Sequence, residues 1–209
     1  MGETTTRRIS TNVKYGLAIH TTSSELGLAV SNLKGDSRSN VWDLGRSIST
    51  HLHYHLAEYI QPQIWADLGF IAVAKGPGSF TSTRIGVVTA RTIAQQLDIP
   101  LFAISSLEAI ARAETGVGAI AVQIPAQTNL VYAAIYSGAT ALLPDSLMTV
   151  EAWQNTLDTW HTPYQLIKAE DGLGASVTSI LEIANLQWQK GELPNWIDAL
   201  PFYGQSPVA

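Results

Sequence analysis

The pattern of apolar and polar positions predicts three short strands and then a helix at the start of the chain. The strand-like segments KYGLAIHTTS, ELGLAVSN and RSNVWDLG follow one another with short turns between them. Because these connections are short, we expect the three strands to form an antiparallel meander. The helix runs from Ile48 to Tyr59, since these two residues recur with Leu52 and Leu56 at helical spacing.

The next patterns alternate helices with strands that we expect to be parallel. The continuous apolar run GFIAVAKG is typical of a central parallel strand, and LFAI predicts another strand further on. Between them lies a helix from about Phe80 to Leu97, and SSLEAIARA predicts a helix that opens with a capping pattern. A meander that leads into parallel strands with helical crossovers predicts an α/β layer structure.

The second half of the chain has a less regular pattern. GAIAVQIPA, NLVYAAIYSG and YQLIKAE predict strands, whereas TVEAWQNTLDTW and GASVTSILEIANLQWQ predict helices. Residues 1–13 are polar and rich in Thr, and we expect them to form a disordered leader. The predicted organisation is therefore this leader, an N-terminal subdomain of residues 14–114 and a C-terminal subdomain of residues 115–209.

The composition favours a protein partner over direct binding of nucleic acid. Charged residues make up 14% of the chain, which leaves more apolar surface than usual and favours an interface. The net charge of −5 argues against binding phosphate by bulk electrostatics. The chain has no cysteine, which fits a reducing cytosol. The sequence contains no apolar run of about 18 residues, the length that predicts a membrane span, and we expect a cytoplasmic protein.

The segment VAKGPGSFTSTRIG forms a strand-to-helix turn of the kind that often holds phosphate. Glycine lets the backbone approach a ligand, and the helix N-terminus directs N–H groups at an anion. The spacing matches neither a Walker loop nor G-x-G-x-x-G, so the turn also fits a purely geometric role. The residues of this nucleotide-like loop are Lys75, Gly76, Pro77, Gly78, Ser79, Thr81 and Arg84.

The stretch KGPGSFTSTRIGVVTARTIAQQLDIPLFAISSLEAIA resembles the signature region of the bacterial TsaB (YeaZ) family. LAIHTTSSELGLAV is similar to the opening strand pair of that family, and PFYGQ to its terminal motif. The resemblance is strong over residues 14–113 and thin afterwards. It implies an actin-like (ribonuclease H-like) mixed sheet with flanking helices, with a complete N-terminal subdomain and a small, divergent C-terminal one.

The resemblance also implies a function in forming N6-threonylcarbamoyladenosine at position 37 of tRNA. In the family, a TsaD-type subunit carries out the transfer and a TsaE-type ATPase joins the assembly, so this chain would bind and stabilise TsaD and meet tRNA only indirectly. The first two helices dock on the partner, or on a second copy when the chain is alone. The expected partner-binding residues are His51, Leu52, His55, Leu56, Tyr59, Gly86, Thr89, Ala90 and Ile93.

Several departures from the family pattern argue against catalysis. His20 stands where the family has an aspartate, the natural ligand for Mg²⁺. The family's Asp-Ala-Arg is Pro125-Ala126-Gln127, and its final arginine is Gln205. Phosphoryl transfer needs such charges, so we expect no catalytic residue, no metal and no cofactor beyond weak ATP or ADP binding.

Three alternatives stay open from the sequence. The chain could be an actin-like ATPase or kinase that uses the loop directly, or a self-associating homodimer. On the first helix His51 and His55 share a face and could pair on a metal, with Glu58 one turn further as the nearby carboxylate, although partly exposed surface histidines explain the pattern equally. Ser79 has no G-x-S-x-G elbow around it, so peptidase chemistry is not expected.

Overall fold

The structure, a computed structural model, describes residues 14–114 and 118–202 of the chain. The strands are β1 (Tyr15–His20), β2 (Glu25–Ser31), β3 (Ser37–Asp43), β4 (Leu68–Ala74), β5 (Leu101–Ile104), β6 (Ala119–Pro125), β7 (Leu130–Ser137), β8 (Thr140–Thr149) and β9 (Tyr164–Lys168). The helices are α1 (Ile48–Tyr59), α2 (Phe80–Leu97), α3 (Ser106–Ala113), α4 (Val150–Asp158) and α5 (Val177–Gln189). The predicted leader and Gln205 lie outside the described residues.

The first sheet has the mixed topology that the sequence predicts. Its strand order is β3-β2-β1-β4-β5, with an antiparallel meander on one side and parallel pairing of β1, β4 and β5 on the other. This order, with the helical crossovers α1 and α2 and the helix α3 after the last strand, is that of an actin-like (ribonuclease H-like) fold. The prediction of the fold class is therefore confirmed.

The second sheet contains a strand that the sequence pattern did not predict. Its order is β8-β7-β6-β9, in which β9 pairs with β6 in parallel and the other pairs are antiparallel. The unpredicted strand β8 follows a tight turn at Gly138 and carries Pro144. Proline is tolerated there because β8 lies at the edge of the sheet. No residue of β8 is fully buried, so the alternation that usually identifies a strand is absent.

The helices and sheets form alternating layers around separate apolar clusters. Along β1, Leu17 and Ile19 face α1 and α2, while Ala18 faces α5 on the opposite side. Helix α3 lies between the two sheets, and α4 covers the outer face of the second sheet. Helix α5, which follows the second sheet in the chain, packs on the strands of the first sheet. Residues after position 115 therefore contribute to both layers, and the predicted subdomain boundary near residue 115 stays a prediction. None of the described helices is long and apolar enough to cross a membrane.

Helix α2 lies unusually close to the end of β1 because one of its residues is glycine. The hydroxyl of buried Thr21 donates a hydrogen bond to the carbonyl oxygen of Ser82 (2.8 Å). A Cβ atom at Gly86, one turn further along α2, would overlap the Thr21 Oγ1 atom. The glycine of α2 therefore serves the contact between the helix and its own sheet.

We expect Gly86→Ala to destabilise the fold by roughly 1 kcal/mol or more, because the added methyl group displaces the Thr21 hydroxyl. In the Thr21→Ala background the same change is expected to cost less, or even to stabilise the helix through its higher propensity. Urea unfolding of the four variants measures this double-mutant cycle. An equal cost of Gly86→Ala in both backgrounds would show that the Thr21 contact is not responsible.

Candidate functional site

The start of the nucleotide-like loop is bonded to three other segments of the chain. The backbone N–H of Lys75 donates to the carbonyl oxygen of Ile104 (2.8 Å), and Ser106 N–H donates to the carbonyl oxygen of Gly76 (2.9 Å). Phe202 N–H donates to the carbonyl oxygen of Lys75 (2.7 Å). Gly76 has φ +100°, which favours glycine there. These bonds join the loop to β5, to the start of α3 and to the C-terminal segment.

The second part of the loop packs on the backbone that follows β1. The N–H of Ser79 donates to the carbonyl oxygen of Thr22 (2.7 Å), and a Cβ at Gly78 would overlap this same oxygen. The hydroxyl of Thr83 in turn donates to the Ser79 carbonyl oxygen (2.6 Å). A carbonyl oxygen of the chain thus lies against Gly78, where a phosphate-binding turn would present its backbone to the ligand.

His20, at the end of β1, is completely buried and uncharged at neutral pH. Burial lowers the pKa of its imidazole to about 3. Its Nδ1 atom lies 3.4 Å from the Thr22 amide, and Nε2 lies 3.4 Å from the Thr22 hydroxyl, which is 3.0 Å from the Ser106 hydroxyl. A buried neutral imidazole is a poor ligand for a hard cation such as Mg²⁺. Within residues 14–114 and 118–202, no three His, Asp or Glu side chains are grouped to hold a metal.

The structure does not bring the two cations of the nucleotide-like loop together. Lys75 lines a cavity next to β5 and the C-terminal segment. Arg84 lines a separate hollow beside α1, and its guanidinium lies 5.5 Å from the centre of the Phe80 ring. The hydroxyl of Ser79 donates to that of Ser82 (3.2 Å), so it has a hydroxyl rather than a base as its partner. This arrangement gives the loop no converging charges for phosphoryl transfer.

A groove lies between the N-terminal halves of α1 and α2. It consists of two adjoining hollows of about 470 and 530 Å³, which share Ser49, Thr81 and Ile85 in their walls. His53 and Val88 complete the first hollow with Arg84, and Arg46 belongs to the second. We call the two hollows together the helix groove.

Apolar side chains of α2 are strongly exposed at the helix groove. Val88 keeps 58% of its surface exposed, while Ile85 is half-buried. Exposed apolar groups gathered along a concave surface are typical of a protein interaction site. The helix groove is therefore the strongest candidate for a binding site among the described residues.

Four of the predicted partner-binding residues are buried within the chain itself, so their side chains offer little surface to a partner. Leu52, Leu56 and Ala90 are at most 3% exposed and belong to the core beneath the helices. Gly86 is buried against Thr21. The apolar periodicity that identified the helices also marks the face that each helix turns to its own sheet.

The remaining predicted residues differ in their surroundings. His51 is exposed, with Nδ1 3.1 Å from the Ser47 carbonyl oxygen. Thr89 belongs to the lining of the helix groove, although only 7% of its surface is exposed. The ring of His55 stacks on Trp42 at 4.6 Å between centres. The other two, Tyr59 and Ile93, are half-buried. That these residues contact a partner stays a prediction.

Most of the residues of α1 and α2 that line the groove are absent from the predicted partner-binding set. Among them, Ser49, His53 and Arg84 are polar and lie off the apolar stripe. Val88 is apolar, yet it lies on the opposite side of α2 from Gly86 and Ala90. An apolar residue opposite the small-residue face was the signal that could have identified the groove.

The structure defines an actin-like α/β protein whose strongest candidate binding surface, among the described residues, is the helix groove. Solved structures agree with the fold. YeaZ from Pseudomonas aeruginosa superposes with a TM-score of 0.73 at 19% identity, covering 91% of this chain and 99% of that one. An uncharacterized P. aeruginosa protein with similarity to peptidase YEAZ gives 0.75 at 19% identity, covering 92% and 100%.

Sequence comparisons identify the family. The family model for "TsaD: tRNA N6-adenosine threonylcarbamoyltransferase" matches residues 62–166, just over half of the chain. The chain is 42% identical over 96 residues to the tRNA threonylcarbamoyladenosine biosynthesis protein TsaB of Bacillus subtilis (strain 168), covering 44% of this chain and 42% of that protein. The TsaB of Buchnera aphidicola subsp. Schizaphis graminum (strain Sg) is 44% identical over 46 residues, 22% of each chain. Both matches span less than half the length of these curated relatives. With the family model over half of its length, the chain belongs to the TsaB (YeaZ) family.

Proposed function

We propose that this chain is a non-catalytic subunit in the biosynthesis of N6-threonylcarbamoyladenosine in tRNA, in which it binds and stabilises a TsaD-type partner. The observation that carries the proposal is the helix groove, in which Val88 keeps 58% of its surface exposed. In the adjacent nucleotide-like loop, by contrast, backbone groups bond to the Thr22 carbonyl oxygen and to the Phe202 amide of the same chain. The TsaB relatives and the TsaD family model support the assignment to this pathway.

The surroundings of the loop support a non-catalytic role. His20 presents a buried neutral ring where the family has a carboxylate. Lys75 and Arg84 line different cavities, so they do not form a joint site for a transferring phosphoryl group. Residual binding of ATP or ADP at the loop stays a prediction, which calorimetry of the wild type and of Arg84→Ala in the presence of Mg²⁺ tests.

The helix groove supports a role as a docking subunit. Burying the exposed apolar surface of Val88 gains about 25 cal/mol for each Å² removed from water. In the proposed assembly a TsaE-type ATPase joins the pair, and the partner makes the tRNA contacts because this chain carries a net charge of −5. The proposal places the complex in the cytoplasm.

Co-elution with the cognate TsaD-type protein in size-exclusion chromatography tests the proposed function. We expect a stable complex, and we expect the purified chain alone to show no turnover of ATP. Absence of a complex over a range of salt concentrations would refute the proposed docking role. Turnover of ATP by the isolated chain would refute its non-catalytic part.

A further inference from the structure

The described residues that line the helix groove carry cationic charge, although the chain as a whole is acidic. Arg84 lines the first hollow and Arg46 the second, and His53 belongs to the lining of the first. Among the described residues no Asp or Glu lines either hollow, whereas the chain carries a net charge of −5. The charge of the groove is therefore opposite in sign to the charge of the whole molecule.

Two acidic residues, one bonded to a residue of the groove lining and one on α1, accept hydrogen bonds from other groups of the chain. The carboxylate of Asp171 accepts the N–H of Ser24 (3.1 Å), which lines the second hollow, and the N–H of Gly172 (2.9 Å). These two bonds hold the pKa of Asp171 below its usual value. On α1, the carboxylate of Glu58 accepts the hydroxyl of Tyr54 (2.6 Å). Neither carboxylate lies among the described residues that line the groove.

We propose that the partner surface seated in the helix groove is acidic and partly apolar, with carboxylates that pair with Arg84 and Arg46 on either side of an apolar contact at Ile85 and Val88. This inference rests on the proposed function and specifies the chemistry of the partner at the same site. Arginine forms bidentate bonds with carboxylates, and such pairs across an interface fix its register.

A protein fits this groove better than a nucleic acid does. Val88 and Ile85 form an apolar part of the groove wall. Apolar side chains of a protein partner would bury this surface, whereas the charged phosphate backbone of a nucleic acid would leave it in contact with water. Nucleic-acid sites gather many cations, whereas this groove has two arginines on a chain of net charge −5.

The same charges disfavour a homodimer through this face. In a two-fold dimer the same patch meets itself, so Arg46 and Arg84 of one copy approach those of the other. Salt screens attraction and repulsion alike, with a Debye length of about 10 Å at 0.1 M. Added salt is therefore expected to weaken the complex with the partner and to strengthen self-association through the groove.

Affinity for the cognate TsaD-type protein, measured by calorimetry in a series of NaCl concentrations, tests the inference. We expect the Kd to rise with salt, and Arg84→Glu to raise it by about tenfold or more at low salt. The matched control is Arg91→Glu, which makes the same change on α2 at a side chain that faces Trp196, with 5.8 Å to the ring centre, outside the groove. We expect this control to change the Kd less than about threefold.

Self-association gives a second and independent measurement. Because Arg84→Glu removes the net positive charge of the groove, sedimentation of this variant alone is expected to show stronger self-association than the wild type. Circular dichroism of each variant verifies that the substitutions leave the fold intact.

The outcomes separate this inference from the proposed function. If the wild type does not bind the partner at any salt concentration, the proposed docking function fails. If it binds with a Kd that is independent of salt, and Arg84→Glu behaves like Arg91→Glu, only the acidic-partner inference is overturned. Binding of bare tRNA that Arg84→Glu abolishes and Arg91→Glu preserves would also overturn it, in favour of a nucleic-acid occupant.

Discussion

Val88→Asp is expected to weaken the complex with the TsaD-type partner by about 30-fold or more, which corresponds to roughly 2 kcal/mol. Val88 is the most exposed apolar residue in the lining of the helix groove, with 58% of its surface accessible. An aspartate there forces a carboxylate into the apolar centre of the interface and also opposes the acidic partner surface that we propose. Calorimetric titration of the partner with each variant measures the loss.

The fold of this variant should stay intact because the Val88 side chain contributes little to the core. Gln96→Asp provides a matched control, since it places the same acid at an exposed position of α2 outside both hollows. We expect this control to bind like the wild type. If Val88→Asp binds the partner as tightly as Gln96→Asp does, the helix groove is not the docking site.

The second large effect concerns the dependence of stability on pH. The folded pKa of His20 is about 3, below the value of about 6.5 expected in the unfolded chain. Between these two values the unfolded state binds a proton that the folded state does not. Stability is therefore fully present above about pH 6.5 and is lost as the pH falls, with a limiting slope of about 1.4 kcal/mol per pH unit.

Denaturant unfolding at several pH values between about 7 and 5 measures this slope. In His20→Gln the contribution disappears, so the stability of this variant is expected to fall less steeply with decreasing pH than that of the wild type. His161→Gln makes the same change at an exposed histidine and should keep the wild-type slope. Equal slopes for His20→Gln and the wild type would contradict the neutral, buried state of His20.

Local periodicity was sufficient to predict most of the elements but not the faces that they present. Helices α1 and α2 begin and end where the apolar spacing of Ile48–Tyr59 and Phe80–Leu97 placed them. That same spacing identified Leu52 and Leu56 as notable residues, and the structure shows that they bury the helix against its own sheet. A surface that binds a partner has no comparable period, because it is defined by what stays exposed after the core has formed.

The loop illustrates why sequence could predict its shape but not its surroundings. Gly76 and Gly78 correctly predicted a tight strand-to-helix turn. The groups that fill it, the Thr22 carbonyl oxygen and the Phe202 amide, come from positions far away in the chain. Strand β8 escaped prediction for a related reason, since an edge strand without a buried face shows no alternation and its Pro144 disfavoured a strand.

Amide hydrogen exchange of this chain, with and without its cognate TsaD-type protein, tests most directly whether the functional surface is the helix groove. We predict that the partner slows exchange in α1 and in the N-terminal half of α2, which form the groove, and leaves β8 and α4 unchanged. Slower exchange in β8 and α4, with no change in the two groove helices, would contradict the account.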